Sequence, residues 1–443
     1  MIMTEQGRPA DTIGKRALHA FLGGGTLKTG IATMVETLIA VAVSLYALSI
    51  FFPWPNIYKW GLISLVLLLF WRYALQRKSG LTVPLPVVVL SWLFFLSFAL
   101  SAALSRNNEY IFFEYKAFRY FLVGGMLVIS SLHNRWRTMS LVVLLAAAAL
   151  DGLTGILQYI LWLSRGVDRI FGFATLSTLF AAKLAFIAGT SSILLLDRKR
   201  TLFRSSVGTT FLLVVAVLTW GGILLSGSRG TWLALPVALL VTVWLMDRTR
   251  ALIALGVVTA LMLGTVSLNA NFRSRITSLF DPRSYADIRG SIGNRIELYK
   301  GAVMLFMHSP LYGCGSGDFQ ENIEDLMRVK AVGNIPYTIH AHNVFLQILA
   351  TQGIAGFSIF AALCAALLRW GVHLARGKGR DGGFIVFFGT LLVLFSGLTD
   401  YYFASPHYAS LWCLTIGMFA AIGNDHTGGR GGAGAVISPG PVS

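Results

Sequence analysis

The sequence predicts an all-α polytopic membrane protein of about twelve transmembrane helices, with one large helical loop between spans nine and ten. Two observations carry this. Only 12% of the 443 residues are charged and 55% are hydrophobic, against roughly 25% charged residues in soluble domains. Apolar runs as long as a bilayer-crossing helix recur along nearly the whole chain, and mean hydropathy is +0.69. The short alternating segments of a β-barrel are absent from the pattern.

The elements follow in order where apolar runs meet charged breaks. Residues 1–31 form a polar segment without a signal-peptide pattern, so the first span is expected to act as an uncleaved anchor. Spans one to nine, over 32–268, fall near 32–52, 57–75, 86–104, 115–131, 138–162, 175–196, 209–226, 231–247 and 250–268. A polar loop covers 269–351. Spans ten to twelve, over 352–423, fall near 352–372, 383–400 and 407–423, and a glycine-rich tail over 424–443 is expected to be disordered.

Basic residues in short loops set sidedness. One alternate set of loops holds, among others, Arg77, Lys78, Arg135, Arg198, Lys199, Arg204, Arg248, Arg369, Arg376 and Arg380, whereas the other holds Lys59, Arg106, Lys116, Arg165, Arg169 and Arg229. The bias places both termini in the cytoplasm and the 269–351 loop on the far face. The net charge of +17 is therefore a topology signal. With no basic soluble domain, no nucleic-acid partner is expected. Cys314, Cys364 and Cys413 lie far apart, which fits neither a disulfide framework nor a zinc site.

The long loop carries the chemistry. Loops of this length inside a compact protein are usually functional. Ile292, Ile296, Tyr299, Val303 and Phe306 recur at 4-3-4-3 spacing and predict an amphipathic helix stopped by Pro310, with Arg295 off the apolar stripe. Arginines on this face, including Arg273, Arg275, Arg283, Arg289 and Arg295, suit an anionic ligand, because guanidinium keeps its charge and binds phosphate bidentately. The plainer alternative is snorkelling to lipid headgroups. Arg229 lies in the turn SGSRG (226–230), against the topology bias, which favours an anion-binding role. Ser228 sits beside it.

Arg119 and Lys183 fall inside spans and are functional candidates; for Arg119, half of a structural pair with Glu114 or Asp151 is an equal reading. Asp400 closes the eleventh span, where it can orient a histidine or an arginine. His340 and His342 head a predicted helix, where positions i and i+2 diverge. A metal would then need a remote ligand such as His308 or Asp318. Interfacial packing and a proton-accepting imidazole are the other readings, with the Asn343 amide fixing the turn.

Three stretches, SGSRGTWLA (226–234), NRIELYKGAVMLFMHSPLYGCGSGDF (294–319) and HAHNVFLQILATQGIAG (340–356), resemble the motifs of the O-antigen ligase/polymerase superfamily of bacterial inner-membrane glycosyltransferases. Their order and spacing around one outer loop match; the middle motif departs from the pattern by Ser309 between His308 and Pro310. The resemblance covers roughly the C-terminal half.

It implies a GT-C-like fold and transfer of a glycan from undecaprenyl pyrophosphate, at the periplasmic face of the inner membrane, to lipid A–core. Membrane lipids would be further partners, and the transfer is inverting, with no metal or other cofactor. His342 takes the position of the family's essential histidine. Arg229 and Arg295 take those of its arginines, with Arg289 a further candidate for the pyrophosphate. Asn343, His340, Asp400 and Ser228 support them. A polymerase of the same superfamily is the nearest rival, and a lipid-linked glycan transporter or flippase the rival from another class, although no repeat symmetry between halves is visible.

Overall fold

The computed structural model describes residues 24–52, 83–103, 105, 134–162, 169–174, 176–268, 270–278, 280–377 and 379–424. Among them every regular element is a helix. In chain order these are α1 (Gly24–Phe51), α2 (Leu85–Ala103), α3 (Asn134–Trp162), α4 (Ser177–Leu196), α5 (Ser206–Leu225), α6 (Arg229–Met246) and α7 (Arg248–Leu268). The loop contributes α8 (Ala270–Thr277), α9 (Pro282–Ala286), α10 (Ser291–His308) and α11 (Phe319–Arg328). The chain then returns as α12 (Val344–Arg376), α13 (Arg380–Gly397) and α14 (Pro406–Asn424). Seven of the helices are long and apolar enough to cross a bilayer, so the chain is a multi-pass α-helical membrane protein. The second and fourth expected spans, Arg119 and the glycine-rich tail lie outside the described residues.

One large apolar core runs through the long helices, from Ile39 and Phe94 to Trp412 and Phe419. A second, small core lies under the loop and is built by Leu298, Ala302, Leu305, Phe319, Ile323 and Ile335, with Ala341 and Ala350 joining it to the start of α12. The expected helix over 291–308 is present, but its buried face is Leu298, Ala302 and Leu305; Val303, from the predicted stripe, is 42% exposed. The reason is local. Gly301 has no room for a side chain because Ile323 fills that space, so the helix packs through its smallest residues, one position round from the stripe.

The expected tenth span begins earlier than its hydropathy suggests, at Val344, and is broken at Gly353 (φ 64°, ψ −165°). A break inside a helix exposes carbonyls and amides that a membrane protein has to satisfy internally. The segment 309–317 does this. Cys314 N–H donates to Ala350 O at 2.8 Å, Gly315 N–H to Thr351 O at 3.1 Å, and Ile354 N–H to Pro310 O at 2.8 Å. Ser101 Oγ of α2 adds a bond to Thr351 O at 2.7 Å. Gly313 (φ 71°) needs its missing side chain, since a Cβ would run into the backbone of Thr351 and Gln352. The HSPLYGCGSGDF stretch is thus a strap across a broken helix, and the helix end it steadies carries the histidines.

Of the two charges expected inside spans, Lys183 is described. It pairs with Asp151 at 3.6 Å, both side chains being almost fully buried. Asp151 is thereby committed to Lys183.

Candidate active site

Asn343 caps α12. Its Oδ1 accepts the Leu346 N–H at 3.0 Å, the usual work of an N-cap, while its Nδ2 donates to Leu398 O at 3.1 Å. One amide therefore ties the start of α12 to the residues that follow α13. Across that junction His342 Nδ1 meets Asp400 Oδ1 at 2.7 Å. The same carboxylate oxygen accepts the Tyr401 N–H at 2.9 Å. Burial by itself would raise the Asp400 pKa; the hydrogen bond from His342 and the positive charges of His342, His340 and Arg295 outweigh it and hold the carboxyl below its usual range. An ionised carboxylate only accepts, so the partners assign the imidazole proton to Nδ1. The Nε2 lone pair of His342 is left without a protein hydrogen bond among the described residues.

His342 has φ +49°, a left-handed conformation that costs a residue with a Cβ roughly 1–2 kcal/mol. This turn reverses one expectation. The histidines precede the helix and do not diverge; their ring centroids are 4.5 Å apart. The turn is held by Gln347, whose buried Oε1 accepts the Ala341 N–H at 2.7 Å. Tyr299 on α10 donates to His342 O at 3.3 Å.

His340 plays a different part. Its Nδ1 accepts the His342 N–H at 3.3 Å, which leaves Nε2–H to donate to the Tyr337 hydroxyl at 2.9 Å. Burial, followed by the charges of His342 and Arg295, pushes its pKa down to about 3, so it is neutral near pH 7. Burial and Asp400 push the Tyr337 hydroxyl up to about 12. These two are fully protonated or fully neutral partners, with no proton to trade near pH 7.

Arg229 opens α6 after Ser228, two residues past Gly227 (φ 71°). Gly230 lets this helix end press against Thr399, for a Cβ there would overlap the threonine hydroxyl. The Arg229 end of α6 is therefore packed beside Asp400. Arg229 Nη1 donates to Ser278 Oγ at 2.8 Å, and the positive charges of Arg295 and Arg169 reach it. The charge of Arg295 also reaches Asp400, His340 and Tyr299. The like charges of Arg295 and Arg169 both act on Arg229, a repulsion that a bound anion relieves.

Arg169 was counted above only as a topology charge. Its loop is clamped by Gln158, which donates to Gly172 O at 2.8 Å and accepts Gly172 N–H at 2.9 Å, and by Asp151, which accepts Phe173 N–H at 2.8 Å. No local pattern marks it; only the fold brings it to Arg229.

Other candidates lie elsewhere. Arg289 is exposed on the turn before α10, its backbone bonded to Asp287. Arg273 and Arg283 are exposed. Ser228 is buried and bonds Thr231 at 3.0 Å, a structural role within the α5–α6 turn. His308 is exposed at the end of α10, and Asp318 precedes α11 at its N-cap position. The ligand atoms of His340, His342 and Asp400 do lie within 4.8 Å of one another, a spacing compatible with a metal ion. An ion there would have to compete with at least one of the His340 bonds to Tyr337 and His342, beside the charge of Arg295. The donor set suits a hydrogen-bonded base better than a cation.

Residues 214–361 match the family model described as O-antigen ligase. The match starts within α5, contains Arg229, Arg295, His340, His342 and Asn343, and ends within α12. Over these residues the chain carries a domain of the O-antigen ligase superfamily. No curated protein matches the chain.

Proposed function

From that domain and the His342–Asp400 pair, we propose that the chain is an O-antigen ligase: it moves a glycan from undecaprenyl pyrophosphate to lipid A–core, with inversion and without a metal. The observation that carries the reading is the 2.7 Å bond from His342 Nδ1 to Asp400, which leaves Nε2 free to accept a proton beside a group of arginines. In this reading an acceptor hydroxyl attacks the anomeric carbon as His342 Nε2 takes its proton. The bond from the anomeric carbon to the phosphate oxygen breaks, and undecaprenyl pyrophosphate leaves with the electron pair. Arg229, Arg295 and Arg169 balance its growing charge, as preorganised cations do for a developing oxyanion. Arg289, exposed on its turn, is no longer part of the proposed group. Asp400 holds the imidazole tautomer and stabilises the imidazolium, and Asn343 and Gln347 hold the turn. His340, neutral, packs and orients.

The topology proposed with this function has twelve spans in the bacterial inner membrane, both termini in the cytoplasm, and residues 269–351 facing the periplasm. The polymerase reading shares the donor and differs in the acceptor. Purified protein is given undecaprenyl-pyrophosphate glycan and lipid A–core with a chelator present. Glycan on lipid A–core is the expected product. Lengthening on the polyprenyl carrier would assign a polymerase, and an unchanged donor without any glycan transfer would remove the enzyme reading.

A further inference from the structure

At the other end of α12 from the histidines, basic side chains fall into two kinds. Several are spent on the protein itself. Arg380 pairs with Asp197 at 2.9 Å. Arg200 donates to Leu194 O at 3.0 Å and Thr209 at 2.6 Å, and Arg250 bonds Leu196 O and Asp247. Arg369, His373 and Arg376 are different. They stand at i, i+4 and i+7, one face of the helix, and none pairs with a carboxylate among the described residues. They line a cleft of about 400 Å³ whose remaining walls are Leu368, Val372 and Phe387.

We propose that this cleft binds an anionic phospholipid, with its phosphate between Arg369 and Arg376 and its acyl chains against Leu368, Val372 and Phe387. Guanidinium recognises a phosphate oxygen pair through two parallel N–H bonds. The apolar wall is what a lipid needs and a soluble phosphate does not. α12 is a membrane-crossing helix whose basic face sits in its last turns, at the depth where headgroups lie. The site is separate from the glycan chemistry and stands whatever the histidine end does.

The test is native mass spectrometry of the full-length protein in detergent, titrated with phosphatidylglycerol and with phosphatidylcholine. The wild type is expected to keep phosphatidylglycerol in preference. R369Q/R376Q should weaken it roughly thirtyfold, at about fivefold per basic side chain. R198Q/R204Q removes the same charge from the exposed loop at this end and should keep binding near wild type; R369K/R376K, which keeps the charge but loses the two parallel N–H donors, should restore it only in part. Equal loss in R198Q/R204Q, or none in R369Q/R376Q, overturns the site. Displacement of the lipid by inorganic phosphate at equal concentration would assign the cleft to a soluble phosphate and overturn the lipid reading.

Discussion

Two acid–base pairs among the described residues, Lys183–Asp151 and His342–Asp400, differ in what they leave open. Lys183 and Asp151 are 3% and 0% exposed; Lys183 also donates to the Ile50 carbonyl and lies over the Phe51 ring, and Asp151 accepts the Phe173 N–H. His342 and Asp400 are 23% and 9% exposed, and their bond leaves one imidazole nitrogen without a protein hydrogen bond among the described residues. A sealed pair steadies the fold and holds the loop of Arg169; a pair with one open valence can do chemistry. Charge inside a membrane protein therefore marks importance, and access decides which kind.

Four substitutions test that contrast, the largest effect first. His342→Ala should lower glycan transfer by about 10²–10⁴-fold, the usual contribution of a positioned base, with an unchanged melting temperature; retained transfer would take His342 out of the reaction. Asp151→Ala should act on the fold instead, destabilising it by about 3–5 kcal/mol by stranding the lysine. Thermal unfolding in detergent reads this, and Lys183→Met with Asp151→Leu should recover most of the loss. If D151A melts like wild type, the pair is not structural.

Asp400→Asn keeps the shape and removes the charge. Transfer should fall about 10–100-fold, from the roughly 1.5–3 kcal/mol of a charge-assisted hydrogen bond, and kcat should carry the loss with KM nearly unchanged. A rise in KM alone would make Asp400 a binding residue.

The smallest effect is one of pH. The folded pKa of His340, about 3, lies below the ordinary histidine value. Between roughly pH 6.5 and 3 the unfolded chain takes up a proton that the folded one refuses, so stability falls as pH falls, by up to about 1.4 kcal/mol per unit. His340→Gln should flatten the decline in melting temperature between pH 7 and 5. An unchanged slope would mean that His340 stays solvated in the folded protein.

Local chemistry made much of this legible. Apolar run length placed helices over each described span, because a bilayer imposes a length on any helix that crosses it. The helix over 291–308 and the Asn343 cap also follow from neighbouring residues. Its buried face did not, because side-chain pattern ranks Val303 above Gly301 whereas close packing against Ile323 needs the glycine. The 309–317 strap, legible in the sequence only as part of a motif, serves a broken helix some 40 residues on.

By itself, then, the sequence determined a helical membrane protein, a long polar segment between its spans, and where its arginines and histidines stand along the chain. Tertiary structure alone decided that His342 meets Asp400 from 58 residues away, that His340 turns to Tyr337, and that Arg169 comes within reach of Arg229. The physical reason is range. Hydropathy and capping act within one helix, whereas a tautomer, a neutral imidazole or an arginine group is set by charges that meet only when α6, α10, α12 and the end of α13 pack together.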